Sequence, residues 1–155
     1  MRTGRHGFTL VELLIVVVLV GLIVRLAIPS YQRYVLTARA AAAISEIETV
    51  RLAAYTYHSD ALEWPADVDR GIVPPELVPY LGDGFSFTGD HYMLDWDNWT
   101  LPDGSPSEPE TGVLVGISMT TADKRLGSAF VRLLGDGAAR ATIDEHYTLV
   151  VVAAD

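Results

Sequence analysis

The sequence contains no cysteine. It therefore offers no disulfide, no thiolate metal site and no cysteine nucleophile, and cysteine usage says nothing about redox compartment. It also lacks a basic patch. Eleven Lys and Arg stand against 20 Asp and Glu, a formal charge of −9, which argues against nucleic acid as the default partner. An acidic balance favours solubility and repels anionic surfaces without bearing on fold. There is no Gly-rich phosphate loop, and Ser86 and Ser118 have no nucleophile-elbow context. His58, His91 and His146 are scattered without metal-ligand spacing and read as surface residues. Nothing here points to an enzyme. At 155 residues there is room for one domain and an appended segment, not for two full domains.

What is present in quantity is a hydrophobic run. After a polar, basic start, "GRHGFTLVELLIVVVLVGLIV", the residues from Phe8 to Val24 are almost all apolar, with one carboxylate, Glu12, among them. As a helix this run spans ~25 Å at ~1.5 Å per residue. Arg25 interrupts it, and Leu26, Ala27 and Ile28 carry the apolar surface on to Pro29. With Arg25 snorkelling toward headgroups, the span suffices for a ~30 Å hydrocarbon core. A secretory signal peptide is the rival reading, but Ala27 and Ser30 are the best cleavage residues that "RLAIPSYQRY" offers. Arg2 and Arg5 precede the run and Arg25, Arg33 and Arg39 follow it, so counting cations does not put the N-terminus in the cytoplasm.

The segment from Gly7 to Val35, "G-FTLVELLIVV…IPSYQRYV", resembles the prepilin signature of type IV pilins and type II secretion pseudopilins. The resemblance covers about a quarter of the chain. It rests on a short basic leader ending in Gly7, then Phe8, Thr9, Leu10 and a glutamate fifth after the scission point, with Gly21 and Pro29 in their places. It implies cleavage between Gly7 and Phe8 by a prepilin peptidase, N-methylation of the Phe8 amine, and assembly into a helical filament cored by the N-terminal helices. It also implies a cytoplasmic leader, a single pass through the inner membrane and an extracytoplasmic head. Further implied partners are an inner-membrane assembly platform and other minor pilins or pseudopilins. Without Arg2 and Arg5 the processed chain carries about −11. A carboxylate in hydrocarbon costs roughly 2.5–3.5 kcal/mol on insertion scales, so Glu12 needs a partner. Scission would supply one in the Phe8 amine, one helical turn away in the same chain or, as the resemblance implies, on the neighbouring subunit, where the pair would fix register. Pro29 cannot donate to the helical ladder and is expected to kink or melt it. Arg25 departs from the small or apolar residue usual in the family.

From Ser30 to about Ser59, Leu36, Ala40, Ala43, Ile44, Ile47, Val50, Ala54 and Tyr57 recur at spacings of three and four, the pattern of an amphipathic helix. "WPADVDRGIVPPELVPYLGDG" carries four prolines and reads as a loop over 60–84 with one short turn at Pro75–Leu81. Strands are expected at Phe85–Thr88, Tyr92–Trp96, Val113–Met119 and His146–Ala153, with a short helix, Ala122–Leu134, capped by Thr or Asp. The expected fold is α+β and pilin-like: a leader at 1–7, a membrane or filament-core helix at 8–29, an amphipathic helix at 30–59, and a head at 60–155. In that head a three- or four-stranded antiparallel meander is laid on the helix stripe.

Within the head, Asp95, Asp97 and Asp103 lie in "DWDNWTLPDGSPSEPE" with Asn98, Glu108 and Glu110. Hard oxygen ligands on a loop suit Ca²⁺, although the spacing is not that of an EF-hand. Trp96 and Trp99 flank the same turn and either form an exposed platform or pack on the helix. Asn98-Trp99-Thr100 matches a glycosylation sequon. The resulting reading is a structural filament subunit of a type IV pilus or a type II secretion pseudopilus, without catalytic residues. Absence of cysteine removes the C-terminal disulfide loop common in adhesive pilins and leans toward a pseudopilin or a minor or atypical pilin. The alternative is a membrane-tethered or secreted calcium- or glycan-binding module using the Trp and Asp loop; a hydrolase is a third.

Overall fold

The computed structural model describes residues 8–107, 112–135, 140–144 and 147–154. The chain divides into two compact units, residues 1–35 and 36–155. Helix α1, Leu10–Ala61, supplies the described structure of the first unit and opens the second.

In the first unit every large apolar side chain from Phe8 to Ile28 is between 47% and 87% exposed, so the described residues of that unit do not cover one another. The helix is long and apolar enough to cross a membrane. It runs through Pro29 without leaving helical conformation. The proline therefore does not melt the helix as expected. What it does is deny the Arg25 carbonyl an amide partner one turn back.

In the second unit the helix behaves differently. Ala40, Ala43, Ile47, Val50, Ala53 and Ala54 are buried, at spacings that keep them on one face. Leu36, Ile44 and Tyr57 are half-buried against the same core. Four of the six buried positions are alanines, which lets bulky groups lie close to the helix axis; Phe87, Trp96, Ile117, Met119 and Phe130 occupy that space. The Tyr55 hydroxyl ties the helix to the sheet by donating to the Val152 carbonyl at 2.6 Å. Beyond Ala61 the chain turns through Leu62, held at φ 61°, with its amide on the His58 carbonyl at 2.8 Å. That left-handed position after a helix is one that glycine usually fills.

The sheet has four antiparallel strands: β1 (Met93–Asn98), β2 (Val113–Thr120), β3 (Arg140–Asp144) and β4 (Tyr147–Ala154). Their spatial order is β1-β2-β4-β3. The last strand enters beside β2, with Ile117 opposite Val150, so the connection is not the simple meander expected. Helix α2, Lys124–Leu134, lies between β2 and β3 in sequence and buries Leu126, Ala129 and Phe130 in the common core. Its cap is Asp123, which accepts from the Arg125 amide at 2.9 Å.

The proline-rich segment holds one 3₁₀ turn, Val78–Tyr80, and contributes Leu77, Leu81 and Phe87 to the core. It also covers the outer edge of β1. The Gly71 amide donates to the Leu94 carbonyl, the Leu94 amide to the Phe87 carbonyl, and the Asn98 amide to Asp67 Oδ2. The expected strand at Phe85–Thr88 is reduced to this contact and an isolated bridge, Thr88 to Met93. Covering an edge strand removes a row of groups that would otherwise template aggregation.

Candidate functional site

The N-terminal end of α1 carries the residues that the sequence singled out. Gly7 lies outside the described residues. Phe8 and Thr9 are non-helical, and the helix begins at Leu10. Thr9 caps it. The Glu12 amide reaches Thr9 Oγ1 at 3.3 Å, while Glu12 Oε2 accepts from the Thr9 amide at 2.9 Å and the Thr9 hydroxyl at 2.8 Å. This reciprocal arrangement is a capping box, and it satisfies helix-end amides that would otherwise need water. In the uncut chain, where Phe8 has no free amine, Glu12 pairs with Thr9. The threonine three positions ahead of a glutamate at the start of an apolar run was legible in the sequence as a helix start.

Both bonds converge on Oε2. Among the described residues no further donor reaches Oε1 of this exposed carboxylate. A carboxylate offers about four acceptor positions, so the cap leaves capacity for an external cation. Arg25 and Pro29 lie further along the same exposed helix. Gly21 has open space where a Cβ would stand, so its lack of a side chain is not demanded by anything among the described residues.

In the second unit Asp95 and Asp97 alternate along β1 with the buried Leu94 and Trp96, and so face away from α1. Asp95 lies across from Arg70, Nε to Oδ2 at 3.7 Å, and that guanidinium sits over the Tyr147 ring at 6.0 Å. Burial, and then the Asp97 charge, push the Asp95 carboxyl up to about 6 despite Arg70. Asp97 is also raised, chiefly by burial, although the Ser118 hydroxyl donating to its Oδ2 opposes this. With the Ser118 O–H directed at Asp97, the Tyr147 hydroxyl is left to donate to Ser118 Oγ at 2.7 Å. Asp103 is occupied differently. Its Oδ1 accepts from the Ser105 amide at 3.0 Å and the Ser105 hydroxyl at 2.5 Å, which lowers its pKa and closes a local turn.

The three calcium candidates are thus committed to two separate hydrogen-bond systems. Among the described residues no group of three or more His, Asp or Glu side chains is placed to hold a metal ion. Glu108, Glu110 and His146 lie outside the described residues. Trp96 is fully buried and its Nε1 donates to the Pro65 carbonyl at 3.1 Å. Trp99 lies against Gly116, where an added Cβ would stand 3.3 Å from its ring and 2.6 Å from Leu149. The pair is packing rather than a platform. The sequon asparagine is likewise engaged, since Asn98 Nδ2 donates to the Pro65 carbonyl at 2.7 Å. His58 is half-buried and stacked on Trp64 at 4.1 Å, and so is not the surface residue expected.

Comparison with known proteins converges on the N-terminal region. The family described as the prokaryotic N-terminal methylation motif matches residues 2–24. The chain is 36% identical over 75 residues to the type IV major pilin protein PilE1 of Neisseria gonorrhoeae, covering 48% of the chain and 35% of that protein. It is 39% identical over 67 residues to a fimbrial protein of Neisseria meningitidis serogroup A, covering 43% and 39%. These matches span well under half the length of either relative. A longer match, 30% identity over 132 residues, joins it to the type IV major fimbrial protein FimA of Dichelobacter nodosus and covers 83% of the chain and 76% of that protein. No solved structure matches significantly. With a relative aligned over most of both chains, a methylation motif at the N-terminus and a long apolar helix leading into an α+β head, the chain belongs to the type IV pilin family.

Proposed function

We propose that this chain is a structural subunit of a type IV pilus, made as a membrane-anchored precursor and polymerised through the first part of α1. One observation carries the reading: a helix that exposes every large apolar residue from Phe8 to Ile28 while starting inside a methylation motif. At roughly 1.5–3 kcal/mol per large apolar side chain, such a surface has to be covered by something other than its own head. The bilayer covers it before assembly and the helices of neighbouring copies cover it afterwards. The relatives' names favour the pilus over the secretion pseudopilus toward which the missing cysteine leans.

In this reading a prepilin peptidase cuts between Gly7 and Phe8, the new Phe8 amine is methylated, and that amine on an adjacent copy approaches the unused Glu12 Oε1. The head faces the extracytoplasmic side, and an inner-membrane platform extracts the subunit. Proteins named major pilins are structural, which supports a subunit without enzymatic activity.

N-terminal sequencing and intact mass of protein taken from filaments test the processing. A chain starting at Phe8 and carrying one methyl group is the expected result, and any other start would overturn it. Glu12→Gln tests the pairing, because glutamine at this position keeps the capping box and removes the charge. Membrane insertion should persist while filament incorporation falls by about tenfold or more, the equivalent of ~1.4 kcal/mol. Unchanged incorporation would refute the pairing.

A further inference from the structure

Charge is unevenly distributed over the second unit. Beyond Ser59 the chain has seventeen acidic residues and five basic ones, and three of those five, Lys124, Arg125 and Arg132, lie on α2. Lys124 is the chain's single lysine. All three are exposed, on the side of α2 opposite the buried Leu126, Ala129 and Phe130. Arg125 and Arg132 are two turns apart and share a face, with the exposed Ser128 between them. The ion pairs of Arg51 with Glu48 and of Arg70 with Asp95 do not involve α2.

Local stability does not account for this placement. Lys124 and Arg125 occupy the first turn of α2, the end of a helix dipole that disfavours cations, and no acid shares that turn. Residues set against a local rule, without a compensating ion pair among the described residues, point to a demand from outside them.

A complementary surface is present elsewhere on the head. Glu46 and Asp83 line an open groove of about 420 Å³ with Phe85 and the glycines 82, 84 and 89, and no α2 residue takes part in it. Three lining positions without side chains leave room for a guanidinium to reach Asp83 and the lone pairs of Glu46 that its bond from the Tyr92 hydroxyl leaves open.

We propose that the basic outer face of α2 docks into the Glu46–Asp83 groove of a second copy of this chain, with Arg125 and Arg132 directed at the two carboxylates. This rests on the reading of the chain as a filament subunit. Knob and groove are different surfaces, so each copy offers one of each. Such a head-to-tail contact propagates into an open helical assembly instead of closing as a dimer. Opposite charge across it sets the register between heads and makes the contact sensitive to salt.

The missing cysteines make the test clean. In filaments of the full-length chain, Ser128→Cys on the α2 face and Ser86→Cys in the groove should together give a ladder of interchain disulfides on mild oxidation, with no ladder from either substitution alone. Reversing the face with Lys124→Glu, Arg125→Glu and Arg132→Glu should lower filament yield about tenfold at ~0.15 M salt, and adding Asp83→Arg should restore part of it. Filaments that form normally and give no ladder would overturn the docking while leaving the assembly reading intact. Failure of the unsubstituted chain to form filaments would overturn both. Normal filament yield from the reversed face, combined with lost retention on phosphatidylglycerol vesicles or duplex DNA, would assign that face to an anionic surface and overturn the proposal.

Discussion

One helix, α1, contains two stretches that treat apolar residues in opposite ways. Between Phe8 and Ile28 it is rich in Leu, Val and Ile, all exposed. Between Ala40 and Ala54 it relies on alanine for much of its apolar face, and that face is buried to 4% exposure or less. The more hydrophobic stretch is thus the one its own chain leaves uncovered. Large side chains all round a helix suit a surrounding of lipid or of like helices. A narrow alanine stripe suits close packing by the rest of the head, where Trp96 of β1, Phe130 of α2 and Phe87 of the preceding loop supply the volume. Hydrophobicity alone does not identify the core of this protein; side-chain size and spacing do.

That contrast can be broken by substitution. The largest effect is expected from Trp96→Ala, which empties the centre of the head and removes the bond to the Pro65 carbonyl. It should cost about 3–5 kcal/mol of head stability, read by thermal or denaturant unfolding. Leu14→Ala, an equally apolar truncation, should leave head unfolding within ~0.5 kcal/mol because it touches nothing in that core. A comparable loss from Leu14→Ala would void the distinction between the two stretches.

Overfilling the stripe is the next largest effect. Ala43 is 1% exposed, and Ala43→Leu should cost ~1–3 kcal/mol through displaced neighbours, whereas Val17→Leu should be silent in the same assay.

Asp95 gives a smaller effect that depends on pH. Its folded pKa of about 6 stands above the ordinary 3.8, so the folded head binds the proton more tightly than the unfolded chain. Its contribution favours folding below the unfolded pKa and is lost as pH rises from about 4 to 6. Asp95→Asn should therefore raise stability at pH 7 by about 1 kcal/mol, a figure reduced for solvent screening, and flatten the pH profile between those limits. A variant less stable than the parent at pH 7 would mean that the Arg70 contact outweighs burial. The smallest expected effect is at Leu62, where Leu62→Gly should gain about 0.5–1 kcal/mol by relieving the left-handed conformation.

Much of this was legible in the residues. The alternation of threes and fours from Leu36 to Tyr57 named the helix face that meets the sheet, because burial on a helix is periodic and those positions are small or aliphatic. Helix α2 announced itself through Asp123 and Gly135. Strand β3 did not. Arg140–Asp144 alternates polar residues with Ala141 and Ile143, but five residues with two apolar ones make a weak strand signal, and pairing with β4 is what makes them a strand. The pairing of β4 with β2 was equally silent, since contacts between residues some thirty positions apart leave no local trace. At the candidate site, Glu12 stands out by its charge, and its bond to Thr9 follows from the same three-residue spacing, which is a weaker signal than a lone acid in an apolar run. The apparent acid cluster of Asp95, Asp97 and Asp103 shows the converse: closeness in sequence did not become one site, because strand alternation and a tight turn assign these carboxylates to different hydrogen-bond partners.

The reciprocal bond between Thr9 and Glu12 bears on the proteolysis proposed to precede assembly. Peptidases act on substrates drawn out straight, with the amide to be hydrolysed clear of any coil. By halting the coil at Leu10, the threonine–glutamate clasp keeps Phe8 and Thr9 unwound on the carboxyl side of the target bond. One side chain would then first hold the substrate open for cutting and later receive the charge that the cut releases.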